Sequence, residues 1–126
     1  MRGKVVHFEI PAEEPERAYA FYRSAFEWEI NPMPEMGYAV LRGTPTDDQG
    51  MPGEPGSING GMFRREDELT HPVVTIAVDD IDKALETIAD LGGSTVRAKT
   101  AVGDMGFAAY FRDTEGNIMG LWQNAT

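Results

Sequence analysis

A strand-like run that leads directly into a helix-like run occurs twice in this chain, and each time three further strand candidates follow. The first pass is VVHFEIP into EEPERAYAFYRSAF, where Pro15 suits a first helical turn and acidic residues suit its positive end. Ala18, Phe21, Tyr22 and Ala25 recur at helical spacing and predict its buried face. The second pass is VVTIAV into DDIDKALETIADLGG, with Asp79 or Asp80 as N-cap, Ile81, Ala84, Leu85, Ile88 and Leu91 as the apolar stripe, and Gly92 as the stop. The trailing strands are WEINP, GYAVLR and SINGGMF in the first half and STVRA, GFAAYFR and NIMGLWQ in the second. Each half therefore reads β-α-β-β-β, predicting one module over residues 1–66 and another over 67–126.

At 126 residues the chain is sized for one domain. It has no cysteine, which removes disulfides, thiolate nucleophiles and Cys-based metal sites. Any metal must be held by His, Glu, Asp or Asn. Asp and Glu outnumber Lys and Arg by 21 to 11, and the net charge of −10 opposes a phosphate backbone, so no nucleic-acid partner is expected. No run approaches the roughly 20 apolar residues of a membrane span, and residues 1–8 lack a signal-peptide core. A soluble, cytoplasmic protein with no membrane partner is the expectation.

Strand alternation sorts side chains by face. His7 and Glu9 share one face of the first strand, while Phe8 and Ile10 share the other. Aligning the closing strands of the two halves pairs Gly61 with Gly120, Met62 with Leu121 and Phe63 with Trp122. Met119 and Leu121 then face a helix, while Gly120 and Trp122, like Asn59, Gly61 and Phe63 in the first half, face away from it. Phe8, Ile10, Phe21, Tyr22, Val74, Ile76, Ile88, Met119 and Leu121 are the expected core, and helices are expected near 14–26 and 80–91. The link at 44–56, rich in Gly, Pro and acid, is longer than a hairpin needs and is a candidate lid; DTEG before Asn117 predicts a tight turn.

The doubled module, with HFEIPAEEPERAYAFY at the first strand-helix junction and YFRDTEGNIMGLWQ near the end, resembles the vicinal oxygen chelate superfamily. Glyoxalase I, bleomycin-resistance proteins, extradiol dioxygenases and methylmalonyl-CoA epimerase belong to it. The resemblance implies an α+β fold, the glyoxalase/bleomycin-resistance fold, in which two βαβββ modules form a cup-shaped mixed sheet with helices on the convex side. It also implies a homodimer, because members with one pair of modules complete their cups by pairing. In metal-dependent members four side chains converge on one divalent ion, from the first and last strands of each half. His7 matches the first of these positions, but the others fall on Val73, Gly61 and Gly120, which carry no donor. His71 lies two residues before Val73, about 6 to 7 Å along the strand. One imidazole is no divalent-metal cage, so no metal and no cofactor are expected.

Three readings follow from this. The first is a metal-free cup that binds a small aromatic or amphipathic molecule through His7, Glu9, Asn59, Phe63, Thr75, Tyr110 and Trp122. The second is a lyase, isomerase or epimerase using His7 and Glu9 for acid–base chemistry, or a displaced metal held by His7, Glu9 and His71. The third is a dimeric interaction module whose cup is filled by its own side chains. No GxSxG or phosphate-cradling GxxxxGK[ST] is present, and GSINGG lacks the helix that a dinucleotide fingerprint requires.

Overall fold

The computed structural model of the chain describes residues 2–47 and 52–125. Two compact units divide it, one comprising residues 7–72 and the other residues 1–6 with 73–126.

In the first unit, strand β1 (Lys4–Ala12, beginning in the other unit's share of the chain) leads into helix α1 (Pro15–Phe26). Strands β2 (Glu29–Met33), β3 (Tyr38–Arg42) and β4 (Gly60–Arg64) follow. The strand order is β2-β3-β4-β1, with β4 parallel to β1 and the other pairs antiparallel. Pro15 opens the helix and Glu16 lies in its first turn. The helix ends at Glu27, which adopts a left-handed φ of 58° and donates its N–H to the Arg23 carbonyl. Ala12, Tyr19, Ile30, Ala39, Leu41 and Met62 form the core, with Phe8, Ile10, Ala18, Tyr22 and Trp28 against it.

Two expectations are corrected here. The buried face of α1 is centred on Tyr19, which is 7% exposed, whereas Phe21 is 58% exposed. The Tyr19 ring is apolar and lies under the Arg23 guanidinium at 5.8 Å, and Arg23 is itself tied to the Ile30 carbonyl at 2.8 Å. Phe21 meets Tyr22 and Phe26 edge-on, at 5.1 and 6.4 Å between ring centroids. The last strand also begins at Gly60 rather than Ser57, because Asn59 Oδ1 takes the Gly43 N–H at 3.0 Å and a side chain replaces a strand-to-strand bond. Of the 44–56 link, the described part has Gly53 N–H bonded to the Pro45 carbonyl at 2.8 Å; residues 48–51 lie outside the described residues.

The second unit repeats the plan with β5 (Val73–Ala77), α2 (Ile81–Asp90), β6 (Ser94–Val102), β7 (Gly106–Arg112) and β8 (Ile118–Asn124). The order is β5-β8-β7-β6, with β5 and β8 parallel. Asp80 is the N-cap, its carboxylate accepting the Lys83 N–H at 3.1 Å, and the Gln123 side-chain oxygen accepts the Ile81 N–H at 2.8 Å. Gly92, at φ +100°, takes the backbone past the helix end. Ile81, Ala109, Phe111 and Leu121 form this core, with Ile76, Leu85, Ile88 and Met119 against it. Val74 was expected there and is 41% exposed: it shares a face with Ile76, but the core under α2 covers Ile76 and stops short of it. The DTEG turn forms as expected. The Asn117 side-chain amide donates to Asp113 Oδ2 at 3.0 Å, and Asp113 Oδ1 accepts the N–H groups of Asn117 and Glu115 at 2.9 and 2.8 Å; these bonds, the side-chain one foremost, lower the Asp113 pKa from its ordinary value.

Candidate functional site

In the first unit, alternation turns Phe8, Ile10, Ala39, Leu41 and Met62 toward α1 and leaves His7, Glu9, Tyr38, Val40, Gly61 and Phe63 on the opposite face. Register decides which of these meet. Gly61 stands opposite Glu9 on one side and Val40 on the other, and Phe63 stands opposite Tyr38. Tyr38 is thus diagonal to Gly61, a distance its ring can span. A Cβ built on Gly61 would fall inside the Tyr38 phenol, so the missing side chain is what admits the ring.

That placement creates a chain of hydrogen bonds. Tyr38 donates its hydroxyl proton to Glu9 Oε2 at 2.9 Å, and the Tyr38 hydroxyl oxygen lies 2.8 Å from His7 Nε2. Glu9 is only 8% exposed, and His7 is half-buried. Burial lowers the His7 pKa from 6.5, against a smaller upward pull from Glu9, so its neutral form is favoured at neutral pH. The site can orient a bound molecule through an imidazole and a carboxylate joined by a phenol, and the same chain can relay a proton.

The other expected site residues fall into two groups. Phe63 lies half-buried on the face of His7 and Glu9. Asn59 engages Gly43 through Oδ1, and its Nδ2 is buried without a partner among the described residues. In the second unit, Thr75 and Tyr110 both stand directly opposite Gly120. A Cβ at Gly120 would come within 2.6 Å of Thr75 Oγ1. Trp122 donates its indole N–H to Asn124 Oδ1 at 2.7 Å and lies against Gly106. Tyr38 was not anticipated. Its alternation with Ala39 and the blank at Gly61 were the available signals, but the β3–β4 register that joins them is non-local.

The residues do not fit the divalent-metal cage of the metal-dependent superfamily members. At the four corresponding positions, Gly61 is covered by Tyr38, Gly120 by Thr75, and Val73 is a buried aliphatic, leaving His7 as the one donor. The displaced site also fails to assemble. His71 is exposed, its Nδ1 bonded to Thr70 Oγ1 at 3.0 Å, and no group of three His, Asp or Glu side chains converges among the described residues.

Residues 4–44 match the family model described as bleomycin resistance protein-like N-terminal. The curated protein "Putative glyoxylase CFP32" of Mycobacterium bovis is 30% identical over 110 residues, 84% of this chain. Its counterpart in Mycobacterium tuberculosis matches equally, and the matched stretch covers 40% of the length of each. Among solved structures, a methylmalonyl-CoA epimerase in complex with methylmalonyl-CoA and NH4+ has the same fold, with a TM-score of 0.66 at 18% identity over 100% of this chain and 97% of that one. The methylmalonyl-CoA epimerase of Mycobacterium tuberculosis gives 0.63 at 15% identity over 97% and 88%. The N-terminal match and the curated relatives make this chain similar to bleomycin-resistance-like and glyoxylase proteins, and its fold is the one that the vicinal oxygen chelate resemblance implies.

Proposed function

We propose that this chain binds a small aromatic or amphipathic molecule without a metal, on the face that carries His7, Tyr38 and Glu9. The observation that carries the reading is the Tyr38 hydroxyl over Gly61, which ties an imidazole to a buried carboxylate where metal-dependent members place a ligand to the ion. Phe63 supplies apolar contact on that face, and Thr75, Tyr110 and Trp122 are the candidates in the second unit. The reading includes pairing with a second copy of the chain, which light scattering at micromolar concentration checks. The test of function is a thermal-shift and fluorescence screen of aromatic and amphipathic compounds, with elemental analysis and mass spectrometry of small molecules on protein purified from cells. A saturable response weakened in His7→Gln and Phe63→Ala, with no stoichiometric metal, is expected. A broad screen without a saturable response refutes the reading in favour of a self-filled interaction module.

A second reading, an acid–base lyase, isomerase or epimerase, is favoured by the chain from His7 to Glu9 and by the likeness to epimerases. Incubating the protein with methylmalonyl-CoA in D2O separates the two. Deuterium incorporation that is lost in both His7→Gln and Glu9→Gln selects the enzyme; its absence leaves the binding protein.

A further inference from the structure

The three groups on the face of the first unit turned away from α1 must share protons in one consistent order. A tyrosine hydroxyl has one proton, an ionised carboxylate has none, and a neutral imidazole has one that sits on either nitrogen. Glu9 can only accept from Tyr38, so the Tyr38 proton is spent at 2.9 Å on Oε2. The contact of 2.8 Å between Tyr38 and His7 Nε2 then needs its proton from the imidazole. Nδ1 is left with a lone pair and no hydrogen bond among the described residues. Nor is it sealed away: among the described residues, the fully buried side-chain atoms without a partner are Thr44 Oγ1 and Asn59 Nδ2.

We infer that Tyr38 is a positioning residue that, anchored by Glu9, fixes the His7 proton on Nε2 and so presents Nδ1 as an acceptor for a ligand O–H or N–H group. The ligand class is therefore a hydrogen-bond donor, such as a phenol, alcohol or amide N–H, carried on an apolar body that suits Phe63. This rests on the binding function proposed above and narrows it. The tautomer itself is a property of the free protein and holds whether or not a ligand is found. Gly61 is part of the same device, because a side chain there would expel the phenol that sets the tautomer.

The test uses the full chain labelled with 15N, in a His71→Gln background so that one imidazole remains, at about pH 8, above the ordinary imidazole range. Long-range 1H–15N spectra should show Nε2 protonated and Nδ1 unprotonated. Tyr38→Phe, with its amide spectrum intact, should relax toward the tautomer mixture of a free imidazole. A proton on Nδ1 in the parent chain overturns the inference even if Tyr38→Phe fails to fold, and so does an unchanged tautomer in a folded Tyr38→Phe. Phenol and methoxybenzene, which share a ring but differ in the donor, are then titrated against the Nδ1 signal. Phenol should move it saturably, with methoxybenzene at least about tenfold weaker, the ratio expected for one lost hydrogen bond of ordinary strength. Equal binding of the two overturns donor recognition. A correct tautomer with no response to either probe overturns donor recognition together with the binding function, while the wrong tautomer with saturable binding overturns this inference alone.

Discussion

Gly61→Ala is the sharpest perturbation of the site, because the usual effect of the substitution and the local effect have opposite signs. Glycine within a strand costs about 0.5–1 kcal/mol relative to alanine, so the exchange would ordinarily stabilise. Here the new methyl would fall inside the Tyr38 phenol, with both strands fixed by their ladders, and Tyr38 must leave. Its departure forfeits the bond to Glu9, about 1.5–3 kcal/mol for a hydrogen bond to a charged group, and the bond to His7, about 1 kcal/mol. The net expectation is a loss of about 2–3 kcal/mol, a fall in Tm on the order of 10 °C for a chain of this size. Urea denaturation of the parent, Gly61→Ala, Tyr38→Ala and the double variant closes a thermodynamic cycle. In the Tyr38→Ala background the phenol is already gone, and Gly61→Ala should be neutral or stabilising by up to about 1 kcal/mol. An unchanged or raised Tm for Gly61→Ala alone, or the same penalty in both backgrounds, would refute the placement of Tyr38 over Gly61.

The second unit offers a milder version: Gly120→Ala meets Thr75 Oγ1 at 2.6 Å and should cost about 1–2 kcal/mol in calorimetry, a penalty removed in Thr75→Ala. His7 links stability to pH. Its folded pKa is lowered, so the unfolded chain binds a proton first; the His7 contribution is complete above 6.5 and is lost as pH falls from 6.5 through the folded value. Stability curves for the parent and His7→Gln should therefore converge on acidification across that window, and parallel curves would contradict the burial of a neutral His7. On α1, Tyr19→Ala should cost about 3 kcal/mol, whereas Phe21→Ala, exposed and with only edge contacts to Tyr22 and Phe26, should cost about 1 kcal/mol; chemical denaturation ranks the two.

What was legible in the sequence was whatever periodicity or a local turn encodes. Both modules, the Asp80 cap, the Asp113 turn and the pairing of Gly61 with Gly120 followed from alternation, helical spacing and the repeat. The misreadings have physical sources. The stripe read on α1 ran through Phe21 and left out Tyr19, whose decisive contacts, with Arg23 and the core beneath the helix, depend on packing. Alternation carried the strand at SINGGMF back too far because it does not register that an asparagine side chain can replace a ladder bond. Tyr38 escaped notice for a third reason. It meets Gly61 only through a register set across a long link, and no local pattern encodes a non-local register.

The two units share a backbone plan but not a chemistry, and their registers show where they part. Gly61 faces Glu9 and Val40 across its ladders, and Gly120 faces Thr75 and Tyr110, so Glu9 corresponds to Thr75 and Val40 to Tyr110. Two residues away, His7 corresponds to Val73; and because Phe63 faces Tyr38 while Trp122 faces Ala108, Tyr38 corresponds to Ala108. The second unit thus has a valine, a threonine and an alanine where the first has an imidazole, a carboxylate and a phenol. Each glycine is retained and each is covered by a hydroxyl, but from a different strand: Tyr38 reaches Gly61 from β3, and Thr75 reaches Gly120 from β5. The glycines therefore answer a common demand of the fold, close approach over the closing strand, which explains why the repeat alone could locate them. The hydrogen-bonded titratable chain answers no such demand. Burying Glu9 and a neutral His7 costs desolvation that the second unit avoids at the equivalent positions, so the first unit's polar chain is an addition to the fold, and the imidazole-linked pH dependence of the sheet face should be carried by residues 7–72.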